Sequence, residues 1–411
     1  MELLCKETAC SVFDDTWWQR LLDESDGLIA PSLIKGSVPG NLFTEDDLVR
    51  VLQEIPRRHG LGQAGVRVYV DGGERADALV RLYREPVQDG EGLREAMQRL
   101  FGDRPFGVVI NHAGRFLPEL TERLAPLYEG LTERLGVPWV SLNPTLFVGN
   151  YGYTPFGVHF DGEAKSVIHF HQGPGIKKMT LWDPERFVEL TGSRLHYCEP
   201  EKILSHGTTF DIEAGDTFYL PEGPFHIGYT PDFSVGLSVV IRGIKVSDWL
   251  DAAWRDSMSE CFSSELSGRY DVDLSTLLAD GLVDASVAGL SVESWVEQAL
   301  ADHRARLESN CGLASESDWP GEVPSPAGLH VQAVAPFHMS VRPGTDGSRS
   351  LYARGRVLKI AVPELDLSWI DILSDGAVLD VETLPVHPEH RQVAESLVGE
   401  LLRIRAIRPV E

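Results

Sequence analysis

The chain predicts an α+β fold in which a compact all-β barrel or sandwich is flanked by helices. Two observations carry this. Between Trp139 and Ile241, short strand-like segments follow one another, separated by Gly and Pro turns. Before and after that stretch the apolar residues recur at helical spacing instead. A third observation, one histidine-bearing hairpin motif inside the β region, narrows the fold further.

In order along the chain, Asp14–Leu22 predicts an amphipathic helix with Trp17, Trp18, Leu21 and Leu22 on one side. Thr44–Ile55 predicts a second, because Thr-Glu-Asp-Asp supplies a cap and acidic first-turn residues that suit the helix dipole. Val66–Val70 predicts a short strand closed by Asp71-Gly72-Gly73. Leu93–Phe101 and Leu117–Leu135 predict helices, the latter stopped by Gly136 and Pro138. The β region then predicts strands at Trp139–Leu142, Thr145–Val148, Val158–Asp161, Ser166–His171, Lys177–Trp182, Thr208–Ile212, Thr217–Leu220 and Ser234–Ile241. Helical spacing returns from Val246 to about Leu307, with Trp249, Leu250, Ala253 and Trp254 together. Ser315–Pro326, rich in Ser, Pro, Gly and acidic residues, predicts a linker. The last part predicts strands at Val331–Val334 and Val357–Val362 and helices around Trp369–Leu373 and Gln392–Leu402. The expected organisation is therefore 1–138, an N-terminal α/β part; 139–245, the β core; 246–314, a helical region; and 328–411, a small C-terminal domain resembling a winged helix.

Composition bounds the function. The chain has 411 residues, and 62 Asp and Glu against 37 Lys and Arg give a formal charge of −25. That charge argues against a nucleic-acid partner, which needs a basic footprint. It suits solubility and would steer a cationic polypeptide inward. The five cysteines, Cys5, Cys10, Cys198, Cys261 and Cys311, are scattered and odd in number, so neither a disulfide framework nor a thiolate zinc site is expected. No apolar run has the length of a signal peptide or a membrane span. A cytoplasmic protein without a membrane partner is expected.

The chemistry concentrates in the β region. Gly215-Asp-Thr-Phe-Tyr-Leu-Pro221-Glu-Gly223-Pro-Phe-His226 has the spacing of the second cupin motif, departing only at Thr230, where Asn is usual. Gly215-Asp216 turns a hairpin, Thr217–Leu220 forms a strand, Pro221 and Gly223 turn again, and His226 points into the barrel mouth. His159-Phe160-Asp161 adds two side chains at i and i+2, which a strand projects from one face. His159, Asp161 and His226 together make a two-His, one-carboxylate set that leaves three positions open on an octahedral metal, as in non-haem iron(II) oxygenases. His169-Phe170-His171 is a rival pair, but residues 172–177 lack the Glu that a first cupin motif would place there. A 2-oxoglutarate co-substrate would need a fixed cation. Lys177 and Lys178 sit on opposite faces of one strand, so one of them enters the barrel. Lys165, four residues past Asp161, is a further candidate at the chelating end.

These residues resemble the JmjC/cupin-like Fe(II)/2-oxoglutarate oxygenases of the bacterial ribosomal-oxygenase type. Trp17-Trp18-Gln19 with Pro31-Ser-Leu-Ile34-Lys-Gly36 resembles the opening segment of that family, Gly157-Val-His159-Phe-Asp161 its first metal motif, and Glu213 through His226 with Ser238–Ile241 its closing strands. The likeness spans roughly residues 12–245. It implies a double-stranded β-helix and an Fe(II) site at His159, Asp161 and His226. It implies 2-oxoglutarate anchored by Lys177 in preference to Lys178, and oxidative decarboxylation to succinate coupled to hydroxylation. It also implies a homodimer formed through the 246–314 helices. Two departures, Pro224-Phe225 and Gly162-Glu-Ala-Lys165, fall near the substrate mouth. The expected activity is hydroxylation of a protein or peptide side chain, on a ribosomal protein or a ribosomally made peptide precursor. The alternatives are a small-molecule hydroxylase of specialised metabolism and a non-enzymatic metal-binding cupin regulator. Pro184–Ser205 is the expected specificity loop.

Overall fold

A computed structural model describes residues 13–58, 65–135, 140–243, 250–251, 292–314, 322–343 and 348–410. The chain divides into two compact units, Met1–Gly243 and Ile244–Glu411. Helices and antiparallel sheets make the fold α+β. Several expectations lie outside the described residues: the Gly136/Pro138 stop, Trp139, most of the 246–307 helical stretch, the linker at 315–321, and Cys5, Cys10 and Cys261.

The first unit opens with α1 (Asp15–Glu24), capped by the Asp14 carboxylate, which accepts from the Trp17 amide at 2.8 Å. Its buried Trp18 lies flat on a later helix, where a Cβ on Gly130 would stand 2.3 Å from the indole. After β1 (Ser32–Ile34) comes α2 (Glu45–Arg58). The cap at its start is reciprocal: the Asp47 amide donates to Thr44 Oγ1 at 3.1 Å and the Thr44 amide to Asp47 Oδ2 at 3.0 Å. Then follow β2 (Val66–Val70), β3 (Gly73–Glu74), α3 (Ala76–Arg84), α4 (Leu93–Phe101), β4 (Phe106–Ile110) and α5 (Pro118–Leu135). Neither α3 nor β4 was expected from the sequence pattern.

The remaining elements of this unit are β5 (Val140–Gly149), β6 (Gly152–Tyr153), β7 (Val158–His159), β8 (Lys165–Pro174), β9 (Lys177–Trp182), α6 (Pro184–Thr191), β10 (His196–Tyr197), β11 (Thr208–Ile212), β12 (Thr217–Leu220), β13 (Phe225–Thr230) and β14 (Ser234–Gly243). The two strands expected on either side of Asn143-Pro144 are one, β5. Pro144 is tolerated because β4 pairs only with Leu146–Gly149, so no neighbour on that side requires an amide from it. The strand expected to run through Asp161 ends at His159. The segment Pro184–Ser205 is structured: α6 is followed by β10, which pairs with β7 so that His196 faces His159 in register.

Two sheets result. The larger runs β1-β12-β8-β14-β5-β4-β2-β3 and the smaller β10-β7-β13-β9-β11, with β6 on β13. Chain neighbours β7, β8, β9, β12, β13 and β14 alternate between the sheets, so the strands wind back and forth between two layers. One cross-strand row of the larger sheet reads Arg67, Val109, Phe147, Gly236, and the next Thr145, Ser238, His169, Phe218. On the smaller sheet His159 opposes His226, and Gly228 opposes Met179. The outer face of the smaller sheet carries a separate apolar cluster of Trp182, Phe187, Phe225 and Ile227.

The second unit, among its described residues, contains α7 (Val292–Ser309), β15 (His330–Ala333), β16 (Ser340–Pro343), β17 (Arg349–Ala353), β18 (Arg356–Ile360), α8 (Ser368–Ser374), β19 (Val378–Asp380), α9 (Arg391–Arg403) and β20 (Ile407–Val410). Its sheets run β19-β15-β20 and β16-β17-β18, around a core holding Val331, Leu351, Trp369, Val398 and Leu401. Strands β16, β17, β19 and β20 were not expected from the sequence pattern.

Candidate metal centre

Ligand atoms of His159, Asp161 and His226 all lie within 4.8 Å of one another. The antiparallel pairing of β7 with β13 sets His159 directly opposite His226, with ring centroids 4.5 Å apart. Asp161 sits just past the end of β7, and its two oxygens divide between the imidazoles. Oδ1 is 3.7 Å from His159 Nε2, and Oδ2 is 3.8 Å from His226 Nε2.

The other ring nitrogens are engaged from behind. His159 Nδ1 donates to the Gly157 carbonyl at 2.9 Å, and His226 Nδ1 faces the Pro224 carbonyl at 3.4 Å. This fixes the tautomer and leaves both Nε2 lone pairs aimed at Asp161. Burial pushes the His226 pKa down to about 4, against the pull of Asp161, so the ring is neutral at neutral pH. Gly157 is required where it stands: its φ is +70°, and a Cβ there would lie 2.7 Å from the Tyr197 carbonyl oxygen.

Lys165 and Glu222 hold the Asp161 loop. Lys165 Nζ donates to the Asp161 carbonyl at 2.7 Å, and the Ala164 amide donates to Glu222 Oε1 at 2.7 Å. The structure therefore places Lys165 on the loop backbone and outside the cavity lining. Lys178 is partly exposed and pairs with Asp211 at 2.9 Å on the other face of β9.

Lys177 is the lysine that turns inward, sharing a face with Met179 and Leu181 as the alternation predicts. It is 5% exposed, and its Nζ donates to Tyr151 Oη at 2.9 Å. The ammonium also lies over the rings of Phe147 and Tyr151, at 5.4 and 5.5 Å. No carboxylate among the described residues pairs with it. Tyr151 is positioned because Gly107 beneath it has no side chain; a Cβ there would stand 2.9 Å from the ring.

A cavity of about 200 Å³ joins these groups. His159, Asp161 and His226 line it together with Lys177, Arg67 and His169. His169 is buried, bonds Ser238 Oγ through Nδ1 at 2.8 Å, and leaves Nε2 without a hydrogen-bond partner. Burial, with the charge of Lys177 behind it, drives its pKa well below the ordinary range. His171 bonds the Gly175 carbonyl at 2.6 Å and does not line the cavity. The rival histidine pair therefore does not join the metal-ligand cluster.

Sequence reasoning missed Arg67, Asn111, Thr145 and Tyr151. Arg67 lies on a strand that was expected, and its alternation with Val66 and Val68 was the available signal. Asn111 and Thr145 required the pairing of β4 with β5, and β4 had not been identified.

No protein-family model matches the chain, and no curated protein matches it in sequence. Among solved structures, the chain is similar to Escherichia coli YcfD at 16% identity, covering 96% of this chain and 98% of that one, with a TM-score of 0.49. A second YcfD structure, described as a ribosomal oxygenase in complex with cobalt and succinic acid, gives 16% identity, the same coverages and a TM-score of 0.47. A third, in complex with cobalt and 2-oxoglutarate, gives 16% identity, coverages of 93% and 95%, and a TM-score of 0.45. Among the described residues no helix is long and apolar enough to cross a membrane.

Proposed function

We propose that this chain is a cytoplasmic Fe(II)- and 2-oxoglutarate-dependent oxygenase that hydroxylates a side chain of a protein or peptide. One observation carries the reading. Two imidazoles and one carboxylate converge on one point of a cavity whose interior also holds a buried ammonium without a carboxylate partner. A facial two-His, one-carboxylate set suits Fe(II) and leaves positions for a chelating co-substrate and O2. The motif likeness between residues 12 and 245 supports the same reading. So does the strand order β5-β14-β8-β12 over β7-β13-β9-β11, the arrangement of a double-stranded β-helix. The winged-helix-like reading of the C-terminal domain is kept as part of this proposal.

The donor set fits the group. Both Nε2 atoms are free to donate, because carbonyls hold the Nδ1 positions. Asp161 supplies the charge that partly offsets a divalent ion. When bound, iron and 2-oxoglutarate supply activation of O2, with loss of CO2 to give succinate and insertion of one oxygen atom into a substrate C–H. The protein does the rest. Lys177 Nζ and Tyr151 Oη hold the distal carboxylate of the co-substrate, which orients its keto-acid end towards the triad. Phe147, Met179, Phe218 and Leu220 line the cavity and limit water around the reacting atoms. Lys165 and Glu222 keep the Asp161 loop in place.

The net charge of −25 supports a polypeptide partner of opposite sign. The test is succinate release in air against peptide arrays and against free amino acids and other small molecules, with mass spectrometry of the substrates. Peptide-dependent succinate and a mass gain of one oxygen atom on the peptide are expected. Succinate driven only by small molecules would replace the peptide with a metabolite, and no succinate under any condition would leave a non-enzymatic metal-binding protein.

A further inference from the structure

We propose that Arg67 forms the subsite that selects the substrate, and that the group it takes is a carboxylate. The inference rests on the oxygenase reading only in calling that ligand the substrate.

Arg67 lies on β2, which joins the larger sheet beyond β4. In register it opposes Val109, which in turn opposes Phe147, so the row carries Arg67 into the same cavity as Lys177. Its guanidinium stacks 4.9 Å above the Phe156 ring, and the Phe156 ring meets His159 edge-on at 5.6 Å. One aromatic ring thus separates this cation from a metal ligand. Asn111 and Thr145, on the neighbouring row, add a carboxamide and a hydroxyl to the same wall.

The charges decide what this wall takes. Asp161 is the single carboxylate lining the cavity, and Lys177 and Arg67 are its two fixed cations. Among the described residues no carboxylate lies within ion-pair distance of Arg67, and its Nε is buried without a hydrogen-bond partner. A buried donor left in this state costs free energy until a ligand satisfies it. With a divalent ion on the triad and a dianionic co-substrate on Lys177, those charges cancel Asp161 and Lys177 entirely. Arg67 remains as the uncompensated positive charge beside the metal.

A planar guanidinium held flat on a ring offers two parallel N–H donors, the geometry that matches a carboxylate. A lysine or arginine side chain of the substrate would instead meet a like charge in a confined space. Surface and cavity then read different features of one partner. The acidic surface attracts a basic polypeptide at long range, and Arg67 accepts a single acidic side chain from it.

The test uses the full-length protein with saturating 2-oxoglutarate and no oxygen. Ligand-observed NMR gives affinities for the N-acetyl amides of Asp, Glu, Asn, Gln, Lys and Arg. One acidic probe should bind about tenfold or more tightly than its neutral amide counterpart, the worth of one charge-assisted contact. Arg67→Gln should level the two, Arg67→Lys should keep part of the preference, and Lys177→Met should leave it intact. Thermal melts confirm that each variant is folded. Equal binding of acidic and neutral probes by the wild type, preference for Lys or Arg amides, or a preference that survives Arg67→Gln but not Lys177→Met would overturn the subsite. The charge-transfer band of iron with 2-oxoglutarate separates the two claims. If that band never forms while the carboxylate preference follows Arg67, the subsite stands and the oxygenase reading falls.

Discussion

Replacing Lys177 with Met should raise the stability of the protein and destroy its hold on the co-substrate. The two effects have one cause. The Lys177 ammonium is 5% exposed, receives a single hydrogen-bond partner in Tyr151 Oη, and faces no carboxylate among the described residues. Burying a charge in this way costs several kcal/mol before relaxation, and an apolar side chain of similar volume removes that cost. The Tyr151 contact offsets about 1 kcal/mol of the gain. A net stabilisation of about 1–3 kcal/mol is expected for Lys177→Met. Differential scanning calorimetry of the ligand-free protein should show the transition of the first unit rise by several degrees, at roughly 2–4 °C per kcal/mol for a unit of this size. Two charges about 4 Å apart attract by about 4 kcal/mol at an effective dielectric constant of about 20. Charge-assisted hydrogen bonds measured by mutation give about 1.5–3 kcal/mol. Together they place the loss of 2-oxoglutarate affinity at about 2–4 kcal/mol, roughly 30- to 1000-fold in Kd by titration calorimetry. A variant that melts lower than the wild type and still binds 2-oxoglutarate within a few fold would refute the reasoning.

Three further outcomes follow from other contacts. Gly236→Ala should lower stability by about 1–3 kcal/mol in urea denaturation, because its Cβ would stand 2.5 Å from His169 Cε1 and force that ring off Ser238. Asp47→Ala should cost about 2–4 kcal/mol. It removes the cap on α2 and leaves Arg123, which donates to both Asp47 oxygens at 2.6 and 3.2 Å, without its acceptor. The ligand-free protein should be acid-labile. Burial lowers the His171 pKa to about 4, below the ordinary 6.5, so the unfolded chain takes up a proton the folded chain refuses. Stability is therefore complete above about pH 6.5 and falls as pH drops from there towards 4, by about 3 kcal/mol for this residue. His169 shifts in the same direction and adds to the slope. Urea midpoints that stay flat between pH 7 and pH 4.5 would contradict it.

What was legible in the sequence was what local chemistry dictates. The turn residues Gly215, Pro221 and Gly223 announced the hairpin that carries His226, and period-two alternation separated Lys177 from Lys178. Partners that depend on sheet order were not legible. Nothing local to Arg67 announces that β2 extends the larger sheet, or that Val109 lies between it and Phe147. Asn143-Pro144 read as a break because Pro lacks an amide, yet the end of β4 at that point removes the need for one. Lys165 follows Asp161 closely enough to suggest a ligand role, but its Nζ settles on the Asp161 carbonyl as the loop turns back. Tyr151 became part of the site through Gly107, a contact between segments more than 40 residues apart in sequence (151 minus 107).

The most direct measurement of the central claim is anaerobic titration of the full-length protein with Fe(II) and 2-oxoglutarate, followed by visible absorption. A metal-to-ligand charge-transfer band should appear with the wild type, saturate at one iron per chain, and vanish in His159→Ala and in Asp161→Ala while each variant keeps its circular dichroism spectrum. A band of undiminished intensity in both variants would contradict the assignment of the triad.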